Sequence, residues 1–365
     1  MSRVYPFPVA SHNYFKIINK SEERERFLAD ITYLPRFIYN ANVDYEDIVE
    51  RLKVVDKSSS AYASLELVLS SMRLRQSKSM SELSRFRLLN ERLFGSPSVE
   101  YIDMLMLHVR KFVTPSNMHA WEYIEVNLQN DFISNLNLEP DESTFKMYRR
   151  YFLEYVGSYI LEDIKLPQLL ELGLKKSGLD LFGWRVDVKS GDAHASVNHH
   201  NKTISIGDSY TPRKRKAAAR IVAHEVYGHA VRGHQSSIAE SEGFGVLLEQ
   251  LIDERFMFRR SYRYLAASLA WGVMGEPVAF RQLHEIIWRI MYLVSGYDID
   301  DAKRHAFDEC VRVFRGGEPS IAGAVYMKDS LYFDANIRMW QFLISKPMQY
   351  NEFIDVIEGR RRILS

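Results

Sequence analysis

The run "ARIVAHEVYGHAVRGHQ", Ala219 to Gln235, reads as a buried helix with a glycine in its interior and two histidines, His224 and His229, set five residues apart. Side chains on a regular α-helix are separated by about 100°, so positions five apart diverge by about 140° while positions four apart diverge by only about 40°. An undistorted helix therefore pairs Glu225 with His229 and sends His224 elsewhere. Gly228 argues for a distortion, because glycine in a helix interior costs about 1 kcal/mol relative to alanine and calls for a reason. One extra residue in a turn, a π-type bulge, would bring both imidazoles to one face, and glycine would ease the close approach that this requires. The competing reading is a regular helix with a Glu–His pair on one face and a separate histidine.

The segment that follows, "SSIAESEGFGVLLEQLIDE", offers carboxylates on the next helix at Glu240, Glu242 and Glu249. Two helical histidines and one carboxylate, with a position left for water, form a catalytic rather than a structural zinc set. Glu242 is favoured because Gly243 and Gly245 beside it allow tight helix contact, whereas Glu249 suits a supporting place, accepting a histidine N–H. The bland alternative is an amphipathic helix with a solvated acidic face. His234, five beyond His229, belongs near the site at most. His-Glu recurs in "LHEIIW" at His284 without a partner histidine four or five residues on, and is set aside.

The surroundings predict an α+β chain, mainly helical. Apolar residues recur at helical spacing from about Ser21 to Met118, with a loop and helix cap at "SKSMSELSRF", and again from Asp141 through Phe145, Tyr148, Phe152 and Val156. "NLNLEP" marks the expected division between an N-terminal helical region, 1–138, packed on a catalytic core, 139–365. Between Trp184 and Ile206, "WRVDV" and "TISIGD" alternate with the two-residue period of half-buried strands, flanking a polar stretch in which His199 and His200 read as turn residues. Thr211 and Pro212 then read as an N-cap and first turn, followed by the basic "PRKRK". A small sheet leading into the His-Glu helix is the order of a zincin-like core. Further helices are expected at about 238–259, 261–274, 279–295, 299–315, 325–345 and 349–361.

Composition excludes several classes. The 48 basic and 47 acidic residues nearly cancel, so overall charge offers no reason to expect nucleic acid or an anionic membrane as the main partner, although local patches are compatible with it. Cys310 is the only cysteine, which rules out an intrachain disulfide and an all-cysteine metal site, so a metal must take His, Asp or Glu. The N-terminus lacks the apolar core of a signal peptide, and the longest apolar run, "YLAASLAWGVM", is too short to span a bilayer; the expected location is cytoplasmic.

"AHEVYGHAVR", "ESEGFGVLLE", "VFRGG" and "AVYMKDSLYFDANIRMWQFL", in this order, resemble the family of the microtubule-associated tyrosine carboxypeptidases and their bacterial homologues, whose zinc motif is similarly His-Glu-x-x-x-His. "YLPRFIY" and "GWRVDV" extend the resemblance over most of the chain. It departs at Gly228, where the family often has a small hydroxyl residue, and at Phe244, where leucine is usual. The resemblance implies His224, His229 and Glu242 as Zn2+ ligands and Glu225 as general base, taking a proton from water and delivering it to the leaving amine. A carboxypeptidase must also hold a terminal carboxylate, for which a cation is suited. Arg315, where a helix ends in two glycines, and Lys328 are the expected substrate-binding residues; Tyr332, four beyond Lys328, is expected to donate to a developing oxyanion. The expected function is a zinc metallocarboxypeptidase acting on a protein or peptide with a free C-terminus, with an aromatic last residue implied by the family. The alternatives are a zinc endopeptidase and a non-catalytic binding or regulatory protein on the same scaffold.

Overall fold

Helix start signals in the sequence are obeyed closely. In a computed structural model, which describes residues 15–17, 19–39, 45–128, 132–134, 136, 139–190, 195–208, 215–233, 237–254 and 261–361, serine and aspartate caps open one helix after another. Ser59, Ser79, Asp141, Ser237 and Asp298 each accept a hydrogen bond from a backbone N–H in the first turn. The serine-rich stretch near Ser77 is the loop and cap expected of it: one helix ends at Ser77 and Ser79 caps the next.

The described residues form a mainly helical α+β protein that divides into two compact units. One is built from Phe7–Leu136 with Arg260–Leu331, the other from Asn137–Arg259 with Tyr332–Ser365. In the former, strands β1 (Phe15–Ile17) and β2 (Phe37–Tyr39) pair antiparallel on either side of α1 (Lys20–Ala29). Helices α2 (Tyr45–Val54), α3 (Ser60–Ser77), α4 (Met80–Phe94), α5 (Val99–Arg110) and α6 (Met118–Leu128) follow. The reading of this stretch as purely helical is thus corrected by one strand pair, whose second strand is the "FIY" of "YLPRFIY".

The other unit opens with α7 (Glu142–Val156) and α8 (Leu166–Lys176) and then a sheet of β3 (Arg185–Lys189), β4 (Ser196–Asn198) and β5 (Thr203–Gly207). Its order is β3-β5-β4, with β3 parallel and β4 antiparallel to β5. The short β4 lies within the polar stretch read as a turn; its three residues are too few to display a period. Ile204 and Ile206 of β5 are fully buried, in a core with Phe152, Leu170, Val222, Val226 and Leu247. After β5 come α9 (Arg215–Val222), a π-helical segment (Ala223–Ala230) and α10 (Ile238–Asp253). Thr211, Pro212 and most of "PRKRK", like His234, lie outside the described residues.

Helices α12 (Phe280–Ser295) and α13 (Ile299–Phe314) fall within a residue or so of the expected positions, while α11 (Ser261–Trp271) stops three residues short of its expected end, where Gly272 takes φ +90°. They pack on α1, α5 and α6, so residues 260–331 group with the N-terminal helices and not with the 139–365 core in which the sequence reading placed them. The unit boundary falls inside α14 (Lys328–Ser345), and α15 (Tyr350–Ile357) closes the described chain. Among the described residues, no helix is long and apolar enough to cross a membrane.

Candidate metal centre

The helix that begins at Arg215 changes pitch at Ala223. Its backbone hydrogen bonds widen by one residue, as in the bond from Val231 N to Val226 O at 2.8 Å, and the turn brings His224 and His229, five positions apart, to one face. The two rings stand 4.8 Å apart, centre to centre. The regular-helix alternative, with imidazoles splayed apart, is not what the chain adopts.

The wide turn is possible because α10 comes very close. A Cβ on Gly228 would lie 2.8 Å from the α-carbon of Gly245, and a Cβ on Gly245 would lie 2.7 Å from His224 Nδ1. Both glycines are therefore required by contact: their missing side chains let α10 press on the π-turn and bring its carboxylates beside the imidazoles.

Each of the three glutamates on α10 has a different destination. Glu242 Oε2 lies 3.4 Å from His224 Nε2 and 3.6 Å from His229 Nε2. Glu249 Oε1 lies 2.8 Å from His224 Nδ1, on the far side of that ring. Glu240 turns away and meets Arg232 at 2.6 Å in a fully buried ion pair, with Arg232 also donating to Val356 O and stacked over Phe244. The remaining atoms are equally ordered: Ser241 Oγ donates to Gly228 O and stands 3.2 Å from His229 Nδ1, and Tyr332 donates to Glu242 Oε1 at 3.0 Å. Glu249 and Ser241 thus occupy the Nδ1 side of the two imidazoles and leave each Nε2 facing Glu242 Oε2.

This donor set fits a metal ion. His224, His229 and Glu242 each offer one atom, all within 4.8 Å of one another. Donors about 2.0–2.1 Å from a tetrahedrally held zinc stand about 3.4 Å apart, which is the spacing of Glu242 Oε2 from the two nitrogens. The electrostatics call for positive charge in the same place. Burial disfavours a charged His224, yet hydrogen bonding to Glu242 and Glu249 outweighs it and lifts its pKa to about 10. Glu225, on the same turn and partly exposed, has its pKa raised by burial against the pull of His224 and His229.

The other expected site residues separate. Tyr332 sits at the cluster, on Glu242. Arg315 and Lys328 belong to the other unit, where Arg315 Nη2 stands 4.0 Å from Asp329 Oδ2 and Arg312 holds the same buried carboxylate with three hydrogen bonds of 2.7–2.9 Å. His199 lies in the turn after β4 with its ring edge-on to Trp184, and His284 is buried in α12. Sequence reasoning passed over Ser241 and Arg232. Neither carries a local signal, since their partners are 12 and eight residues away on another helix.

Comparison with protein-family models, with curated proteins and with solved structures finds no match to this chain. Fold and site together define a mainly helical α+β protein with a His–His–Glu cluster formed by a π-turn and α10, the turn packed against strand β4 of a small sheet.

Proposed function

We propose that the chain is a zinc-dependent peptidase with a zincin-like core, most simply a metallocarboxypeptidase that removes the last residue of a protein or peptide. The observation that carries this reading is the convergence of His224 Nε2, His229 Nε2 and Glu242 Oε2, with Glu225 on the same turn. His224, His229 and Glu242 would hold the ion, and zinc bound there supplies Lewis acidity toward a carbonyl and toward water.

The protein's own groups account for the rest. Glu225, whose pKa burial raises above the usual carboxylate range, serves as general base and then as general acid toward the leaving amine. Glu249 and Ser241 orient the two imidazoles and set their tautomers. Tyr332, whose single O–H proton rests on Glu242 Oε1, would turn it toward a developing oxyanion. The exopeptidase part rests on the sequence resemblance.

The test has two stages. Elemental analysis of the purified wild type beside His229→Ala should find about one zinc per chain in the former and little in the latter; absence of metal from wild type supplied with zinc refutes the reading. Peptides with free and amidated C-termini then decide between exopeptidase and endopeptidase, since a carboxypeptidase leaves the amide uncut.

A further inference from the structure

Among the described residues of the unit that holds β3, β4 and β5, the most exposed large apolar side chains are adjacent in sequence. Leu181 is 85% and Phe182 69% exposed, at the tip of a single 3-10 turn, Leu179–Phe182. The turn is held in shape: Gly178 and Gly183 bracket it in the left-handed region at φ +72° and +84°, Gly183 N bonds to Asp180 O, and Lys202 Nζ donates to Phe182 O at 2.9 Å. An ordered turn that presents two bulky apolar groups to water forgoes the burial that each would otherwise contribute.

Cations surround it. Lys175 and Lys176 end α8, which packs on the turn, Arg185 opens β3 three residues beyond Phe182, and Lys202 is tied to the tip; all four are exposed. Over residues 175–185 Lys175, Lys176 and Arg185 outnumber Asp180, leaving +2, and Lys202 at the tip adds one more, in a chain whose whole net charge is +1. Trp184, partly buried, follows immediately, and tryptophan is the side chain most at home between water and hydrocarbon.

We propose that this turn is a docking wedge for an anionic lipid surface. Leu181 and Phe182 enter the headgroup boundary while Lys175, Lys176 and Arg185 lie against lipid phosphates. Two projecting side chains are too small a patch for a stable protein interface, which needs roughly 800 Å² on each partner. A bilayer requires no matching shape and rewards apolar tips ringed by long cationic side chains that keep their charges in water. The proposal reverses the expectation of no membrane partner, which rested on the balanced charge of the whole chain, and it does not depend on the metal centre.

Flotation of the full-length protein with phosphatidylcholine vesicles, with and without phosphatidylserine, tests it. Binding should require phosphatidylserine, weaken with added salt, and fall at least tenfold in Leu181→Ser/Phe182→Ser and also in Lys175→Glu/Lys176→Glu, with melting temperatures of both variants equal to that of the wild type. No binding to phosphatidylserine vesicles overturns the proposal, as does undiminished binding by the serine variant. Salt-sensitive capture by immobilised polyglutamate with no vesicle binding would assign the patch to an acidic protein instead.

Discussion

The dipeptide His-Glu occurs twice in buried helices of this protein, and the two copies have opposite fates. In α12, a regular helix, His284 packs edge-on to Phe27 and stands 3.0 Å from Lys303 O through Nε2, while Glu285 receives Trp288 Nε1 and Arg289 Nη1 at 2.9 and 2.7 Å. Each residue is absorbed by its own neighbours. In the π-turn, His224 faces Glu242 on one side and Glu249 on the other, with His229 on the same face. Residue types are therefore a poor guide by themselves. The deciding factors are helical phase, which aligns a second imidazole, and a neighbouring helix close enough to bring acceptors to both ring nitrogens.

The comparison breaks most sharply at Glu225. On the proposed chemistry, Glu225→Gln should lower peptide hydrolysis by about 10²–10⁴-fold while leaving zinc content at the wild-type level, read by steady-state kinetics beside elemental analysis. Retained activity would remove Glu225 from the mechanism. Next in size is the helix contact that shapes the site: a methyl at Gly245 meets the His224 ring at 2.7 Å, so Gly245→Ala should destabilise the fold by about 1–3 kcal/mol and reduce zinc retention. Denaturant titration with and without chelator separates the two effects.

Glu249→Gln removes the charge behind His224 but keeps its shape, and zinc affinity in a competitive chelator titration should drop by about 10–100-fold. His284→Ala should do the reverse of His229→Ala, costing about 1–3 kcal/mol of stability through a lost buried contact and hydrogen bond, with zinc content unchanged. The smallest effect concerns Glu285. Burial tends to raise its pKa, but hydrogen bonds involving His284, Trp288 and Arg289 outweigh it and hold the group at about 2. A depressed carboxylate stabilises the fold above its unfolded pKa of about 4 and loses that contribution as pH falls toward about 2. Allowing for its partial exposure, about 1 kcal/mol should vanish across this window in the wild type and not in Glu285→Gln, measured by denaturation at stepped pH.

Much of the helical frame is legible in the sequence because its determinants are local. Capping residues and glycines place α12 and α13 within a residue or so of where they form, and the two-residue period marks β3 and β5. The three-residue β4 and the β1–β2 pair escape because so short a strand has no period, and its identity depends on which distant strand it meets. The five-residue histidine spacing and Gly228 raise a bulge as one of two readings, beside a regular helix with a separate histidine, and the wide turn observed decides for the bulge.

What tertiary structure alone decides is the choice among equals. Glu240, Glu242 and Glu249 look alike on one helix, and only packing sends the first to Arg232, the second to both Nε2 atoms and the third to an Nδ1. The same holds for residues 260–331, whose helices are locally specified but whose partners are not. It holds for Leu181 and Phe182, which in sequence could as well be core and in the fold stand in water. Local propensity depends on neighbours within about a turn and can be read along the chain. Contact, burial and charge pairing join residues far apart in sequence, and only the folded chain brings them together.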